Sequence, residues 1–384
     1  MAVPSGGDLP QRDRNIEEKA MKSALHQKEQ LCSRPKKVAV VDDSSTIRAW
    51  LRHIIDADPK LRVVGEASDA QEARSVIKAT NPDVITLDVE MPGMNGLDFL
   101  EKLITLRPMP VVMVSSITKR GSDAAIRALS LGAVDCIVKP DSLMDRTAER
   151  DLTRRVFAAA CSQLFEASSS PVRTAVGAPW VTGQLKGGQL VLIGASTGGV
   201  PALEMVLGGV DPDGPPIVIA QHMPRQYLES FARRLRKILA RDIAILQARE
   251  QLDYGQIRLA PGGGVQSLLL SEEPVWQAEF VPQLEKDLYC PSVDKLFHSA
   301  CGRASSVTAV LLTGLGDDGA SGLKALRAAG AHTIGQDYAS SVVYGMPRAA
   351  FEAGAVTEQL PLDRIAHAIN RATQAKYLLG RVLG

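Results

Sequence analysis

This 384-residue sequence predicts two doubly wound α/β domains joined by a linker, and three observations predict them. Apolar runs of strand length alternate with segments of helical length, the pattern that builds parallel sheets. The alternation occurs twice, on either side of a Ser, Pro, Gly and Ala-rich stretch at 167–188 whose composition suits a linker. The runs also end in carboxylates, hydroxyls, glycines or an imidazole, which puts chemistry at the carboxyl edges of the sheets.

Residues 1–35 mix charges with Gly, Pro and Gln and form a polar tail, with room for one short helix near Asn15 to Leu31. From Lys36 onward, Val38 to Val41, Val84 to Leu87, Val111 to Val114 and Cys136 to Val138 are strands, which sets a first domain at 36–142. A charged helical stretch opens the linker, 143–188. A second domain, 189–384, resumes with strands at 189–193, 216–220, 257–260, 308–312 and around His332 to Ile334, in a mainly parallel sheet.

Lysine plus arginine numbers 44 and aspartate plus glutamate 43, so no global field recruits nucleic acid or an anionic membrane. A DNA-binding alternative would rest on Arg233-Arg-Leu-Arg-Lys237 with Arg241, a run that also suits the solvated face of a helix. Five cysteines without C-x-x-C or cysteine/histidine spacing argue against a zinc site and a disulfide framework. With no apolar run of membrane-spanning length and no signal-peptide core, the expectation is a cytoplasmic protein without membrane insertion.

Asp42 and Asp43 follow the first strand and Asp88 follows the second, so three carboxylates meet at one sheet edge. Like charges so close are costly unless a hard cation such as Mg²⁺ neutralises them. Ser115 and Lys139, after later strands, add a hydroxyl and an ammonium, a set suited to phosphoryl capture. The plainer alternative is that Asp42 and Asp43 cap the helix beginning near Ser44.

In the second domain Ser196 lies in Gly194-Ala-Ser-Thr-Gly-Gly199, between a strand and the amphipathic stretch from Pro201; His222 ends a second strand, and Asp318 follows a third in Thr313-Gly-Leu-Gly-Asp-Asp318. A hydroxyl at such a corner, an imidazole and a carboxylate are a nucleophile, a base and an orienting acid. The order Ser, His, Asp departs from the Ser, acid, His order of α/β-hydrolases. Singly, each has a structural alternative: Ser196 as a cap, His222 as a turn residue, Asp318 as the cap of the helix from Gly319. His332 competes for the base and Asp317 for the acid.

Val40-Val-Asp-Asp-Ser-Ser45, Thr86-Leu-Asp-Val-Glu-Met-Pro-Gly-Met-Asn-Gly96, Val114-Ser-Ser116 and Val138-Lys-Pro140 resemble the response-regulator receiver family, a flavodoxin-like fold with a five-stranded parallel sheet. The resemblance implies that Asp88 accepts phosphate from a histidine kinase. It also implies that Asp42, Asp43 and Asp88 hold Mg²⁺ with the backbone carbonyl of Glu90, and that Ser115 and Lys139 sense the phosphoryl group. Receivers often carry an aromatic residue three before this lysine; here the position is Cys136.

Gly194-Ala-Ser-Thr-Gly-Gly199, Gln221-His-Met-Pro224, Leu259-Ala-Pro-Gly-Gly263, Pro291-Ser-Val-Asp294, Leu312-Thr-Gly-Leu-Gly-Asp-Asp-Gly-Ala320 and Tyr344-Gly-Met-Pro-Arg348 resemble the chemotaxis protein-glutamate methylesterase/glutaminase family. The resemblance implies Ser196 as nucleophile, His222 as general base and acid, and Asp318 as orienting carboxylate. Thr197 and Leu315 supply oxyanion N–H groups, Leu315 standing where the family usually has Met. Chemoreceptor cytoplasmic helices are the implied substrates, and the esterase reaction needs no cofactor. A hydrolase of small free esters is the competing enzymatic expectation.

Overall fold

The computed structural model describes residues 34–162 and 188–382, apart from 92, 116–118, 140–144 and 273–274. The tail expected at 1–35 and the Ser, Pro, Gly and Ala-rich half of the linker lie almost wholly outside the described residues.

The first sheet contains β1 (Lys36–Val41), β2 (Leu61–Ala67), β3 (Val84–Asp88), β4 (Val111–Ser115) and β5 (Asp135–Val138) in the order β2-β1-β3-β4-β5, all parallel. The helices are α1 (Ser45–Ala57), α2 (Ala70–Thr80), α3 (Gly96–Leu106) and α4 (Lys119–Ser130). The central strands are buried on both faces and read as unbroken apolar runs. Strand β2 escapes that pattern because it is a half-exposed edge carrying Arg62 and Glu66.

The charged helical stretch expected after residue 142 is helix α5 (Arg146–Ala160). Asp145 caps it, accepting from the Thr147 and Ala148 N–H groups, and Leu152, Val156 and Ala159 bury themselves with Val38, Val40, Leu51 and Ile55. The first part of the expected linker is therefore packed onto the receiver, because a helix with an apolar stripe has to bury it.

The second domain is built on β6 (Leu190–Ala195), β7 (Ile217–Gln221), β8 (Ile243–Ile245), β10 (Ile257–Leu259), β13 (Val307–Leu311), β14 (His332–Gln336) and β15 (Glu358–Leu360). Their order is β15-β14-β13-β6-β7-β10-β8, with every pairing parallel. A separate antiparallel sheet, β11-β12-β9, combines β9 (Gln251–Leu252), β11 (Val265–Glu272) and β12 (Val275–Pro282). Helices α6 (Gly199–Gly209), α7 (Arg225–Leu239), α8 (Val293–Ser299), α9 (Ala320–Ala328), α10 (Met346–Glu352) and α11 (Leu362–Val382) complete the domain. The chain moves outward from β6 to β7 and returns on its other side as β13, so the crevice at the strand ends opens beside β6, where α/β sheets bind ligands.

One apolar cluster runs through both domains, and Cys136 and Tyr227 meet in it. Cys136, Cys290 and Cys301 are free thiols. Cys161 is disulfide-bonded, a bond that the cysteine spacing does not announce. Among the described residues no helix is long and apolar enough to cross a membrane.

Candidate active site and phosphoryl site

Ser196 is the first residue after β6, and its N–H donates to the carbonyl of Thr313, in the loop after β13, at 3.0 Å. The turn into α6 needs glycine twice. Gly198 has φ +79°, and a Cβ there would lie 2.6 Å from Val342 Cβ; at Gly199 a Cβ would lie 2.1 Å from Gln221 Oε1. Left-handed backbone costs an alanine roughly 1–2 kcal/mol, and overpacking adds about as much. Gly198→Ala is therefore expected to lower the thermal midpoint by roughly 5–10 °C, read by calorimetry.

Ala195 and Gln221 are register partners in the β6/β7 pair, so Ser196 and His222 leave neighbouring strands at matching positions. The His222 N–H donates to Ala195 O at 3.0 Å. Its ring Nε2 faces Asp318 Oδ2 at 2.7 Å, which leaves Nδ1 as the nitrogen available to the serine. Ser196 and His222 line one cleft of about 320 Å³, with Thr197, Leu315 and Tyr289. Among the described residues no hydrogen bond joins the Ser196 hydroxyl to the ring in this arrangement.

Asp318 is buried and held from several sides. It accepts from the Val293 N–H (2.7 Å), the Asp294 N–H (3.0 Å) and the Ser292 hydroxyl (3.1 Å). Burial by itself would raise its carboxyl, but the hydrogen bond and charge of His222, followed by the backbone N–H groups of Asp294 and Val293, outweigh that and hold it below the usual carboxylate range. It thus stays ionised opposite the imidazole. Pro291-Ser292-Val293-Asp294 carries the sequence signal for this support, a serine cap opening a helix, and Ser292 does accept from the Lys295 N–H.

The competing residues fall elsewhere. Asp317 is exposed, and His332 starts β14 with its Nε2 2.9 Å from Glu358 Oε1. In the basic run of α7, Arg233 pairs with Asp123 (2.7 Å), Arg234 with Glu204 (2.6 Å), and Arg236 donates to the Ile243 carbonyl (2.9 Å).

The receiver closes over the cleft. Asp151, Arg154 and Arg155 of α5 form its far wall. Asp135, which opens β5, accepts from the Thr197 hydroxyl at 2.7 Å and from Arg155 Nε at 2.9 Å. The residue following the proposed nucleophile is thereby tied to the other domain. Tyr227 of α7 is fully buried, with its hydroxyl 3.9 Å from Cys136 Sγ and beside the Ser115 side chain. Burial pushes that phenol well above its ordinary value.

At the receiver edge, ligand atoms of Asp42, Asp43 and Asp88 lie within 4.8 Å of one another. Lys139 Nζ sits 2.9 Å from Asp42 Oδ2 and 2.8 Å from Asp88 Oδ2. Burial, partly offset by Lys139 and reinforced by Asp42, raises the Asp88 carboxyl. Crowded, partly desolvated carboxylates of this kind fit a hard divalent cation. The N-cap of α1 is Ser44, accepting from the Ile47 N–H at 3.4 Å, while Asp42 Oδ1 accepts from the N–H of Ser44 itself at 3.0 Å. The backbone of Glu90 lies beside Asp88 and offsets a further part of that rise.

A carboxylate-lined receiver edge fused to a domain with a serine, a histidine and an aspartate at its switch point defines a response regulator whose output domain is a hydrolase. Residues 38–148 match the family described as response regulator receiver domain, and residues 191–369 match the family described as CheB methylesterase. The chain is 46% identical over 345 residues, covering 90% of itself and 98% of its relative, to protein-glutamate methylesterase/protein-glutamine glutaminase 1 of Rhizobium johnstonii. It is also 46% identical over 343 residues, covering 88% of itself and 97% of its relative, to the enzyme of the same name from Agrobacterium fabrum. The crystal structure of the Thermotoga maritima CheB methylesterase catalytic domain is 29% identical, covers 48% of this chain and 99% of its own, and superposes with a TM-score of 0.46. The chain belongs to the protein-glutamate methylesterase/protein-glutamine glutaminase family, CheB, and is an enzyme of that ester-hydrolase class.

Proposed function

We propose that this chain hydrolyses glutamyl methyl esters and deamidates glutamines on chemoreceptor helices through Ser196, His222 and Asp318. The observation that carries this is the His222–Asp318 hydrogen bond of 2.7 Å at a strand end next to that of Ser196. Ser196 Oγ attacks the side-chain carbonyl while His222 Nδ1 takes its proton. The tetrahedral intermediate collapses, the C–O bond to methanol or the C–N bond to ammonia breaks, and the imidazolium returns that proton to the leaving group. Water, deprotonated by the same nitrogen, then attacks the acyl-serine; the C–O bond to Ser196 Oγ breaks, the imidazolium returns its proton to that oxygen, and glutamate leaves. Asp318 fixes the tautomer with its proton on Nε2 and stabilises the imidazolium. The N–H groups of Thr197 and Leu315 would hold the oxyanion, each such donor contributing about 3 kcal/mol. Methanol release from methylated receptor membranes tests the assignment; membranes that keep their methyl esters in the presence of the chain would overturn it.

The receiver is proposed to control this site. A histidine kinase would supply the phosphoryl group: the Asp88 carboxylate attacks phosphorus as the bond to the kinase imidazole breaks. Asp42, Asp43 and Asp88, with the Glu90 carbonyl, would hold Mg²⁺, which screens their charge and the incoming phosphoryl oxygens. Ser115 and Lys139 would then bind those oxygens. Two contacts support control by closure, the Asp135–Thr197 bond inside the cleft and the Cys136–Tyr227 contact between β5 and α7, with Ser115 of the phosphoryl edge beside the same hydroxyl. A pull on Ser115 toward a phosphoryl group competes directly with Tyr227. One such hydrogen bond is worth about 1 kcal/mol, so Tyr227→Phe is expected to raise the esterase rate without phosphodonor roughly fivefold and to shrink the activation by acetyl phosphate. An unchanged basal rate would remove Tyr227 from the control.

A further inference from the structure

Tyr289 lies flat on the proposed general base: its ring centroid is 4.4 Å from that of His222 and the planes differ by 5°. The tyrosine is held from two directions. Its carbonyl accepts from Gln266 Nε2 at 2.7 Å, and that same Gln266 accepts from the Ser292 N–H at 2.9 Å, so one buried amide fixes both the stacked ring and the segment that grips Asp318. Its hydroxyl takes Arg154 Nη1 at 3.4 Å. Gly316, at φ +92°, leaves the hydroxyl room, because a Cβ there would lie 2.7 Å from it.

We propose that Tyr289 is a positioning residue for the ester and amide hydrolysis: its ring fixes the plane of His222, so that Nδ1 is presented to Ser196, and its π face favours the imidazolium formed during attack. The inference rests on the proposed Ser-His-Asp reading and deepens it. Asp318 restrains only one edge of the imidazole, and a ring held at one edge can still rock about that hydrogen bond. A parallel aromatic plane removes this motion at little entropic expense, since Tyr289 has its own backbone anchor. The charged and titratable groups around His222 are Asp318 at its edge, Tyr289 on its face, Cys290, and, across the cleft, Asp151, Arg154 and Arg155 with Asp135. Of these only Tyr289 offers a π face.

The test compares Tyr289→Leu and Tyr289→Phe with wild type in the full chain, activated with acetyl phosphate. Leucine keeps the apolar cover and removes the π face. For Tyr289→Leu, kcat on methylated receptor is expected to fall about tenfold with KM nearly unchanged, and the acidic limb of kcat/KM to move to lower pH because the imidazolium loses support. Tyr289→Phe, which keeps the ring, is expected to restore both. An NMR titration of the His222 ring in the same proteins, assigned with a His222→Gln spectrum, should show the same downward shift for leucine and none for phenylalanine. This readout needs no substrate, so it separates failure of the stacking role from failure of the methylesterase reading. Wild-type kcat and an unshifted His222 titration in Tyr289→Leu, or equal damage from leucine and phenylalanine, would overturn the proposal.

Discussion

Ser196→Ala is expected to reduce methanol release from methylated receptor membranes by on the order of 10⁴-fold or more, the size of effect that removing a nucleophile has in serine hydrolases. The fold has no stake in the lost hydroxyl. Ser196 is fixed through its N–H to the Thr313 carbonyl and through its own carbonyl, which accepts from the Gly199 N–H at 2.8 Å and from Gln221 Nε2 at 2.9 Å. The variant should therefore melt within a degree or two of wild type and still accept phosphate from a donor. Substantial turnover by a folded, phosphorylated Ser196→Ala protein would end the acyl-enzyme mechanism.

Asp318→Asn is expected to lower kcat about 10⁴-fold, the loss seen when a triad acid becomes an amide. An asparagine can turn its NH₂ toward Nε2, which drives the ring proton to the nitrogen that has to receive the one from Ser196. The substitution also acts on stability, with a defined dependence on pH. Since the carboxyl lies below its ordinary range when folded, its contribution is fully present above the unfolded carboxylate value and is lost as pH falls through the lowered one. Asparagine does not titrate there. The stability gap between wild type and variant, measured by urea unfolding at a series of pH values, should thus be largest near neutrality and close on acidification; a constant gap would show that Asp318 contributes only by its shape.

Much of this arrangement is legible before any coordinates. Val38 to Val41, Val84 to Leu87 and Leu190 to Ile193 announce themselves because strands buried on both faces are continuous apolar runs, and the polar residue ending each run is by geometry at a sheet edge. That is why Asp42, Asp88, Ser196 and His222 can be found from the chain alone. Strand β2 and the β11–β12 hairpin leave weaker traces, since polar residues interrupt their apolar pattern, Arg62 on an exposed face, Gln277 at a half-buried position and Gln266 in the interior. The partners Tyr289, Asp135 and Tyr227 are not legible. Each acts on a residue more than 60 positions away across a loop or a domain boundary, and such pairings have no period to detect. Ser292 is intermediate, visible as a helix cap but not as a donor to Asp318.

Helix α5 decides where this gene can be divided. Its apolar stripe completes the receiver interior through Leu152, Val156 and Ala159, while Arg154 and Arg155 on its other side reach the cleft of the neighbouring domain. A fragment ending at residue 142 would leave a greasy trough along β1 and α1, whereas one extended past residue 160 would carry the far wall of the cleft as part of its own body. The two halves are thus modular only when the cut respects a helix whose sequence address lies in the apparent connector.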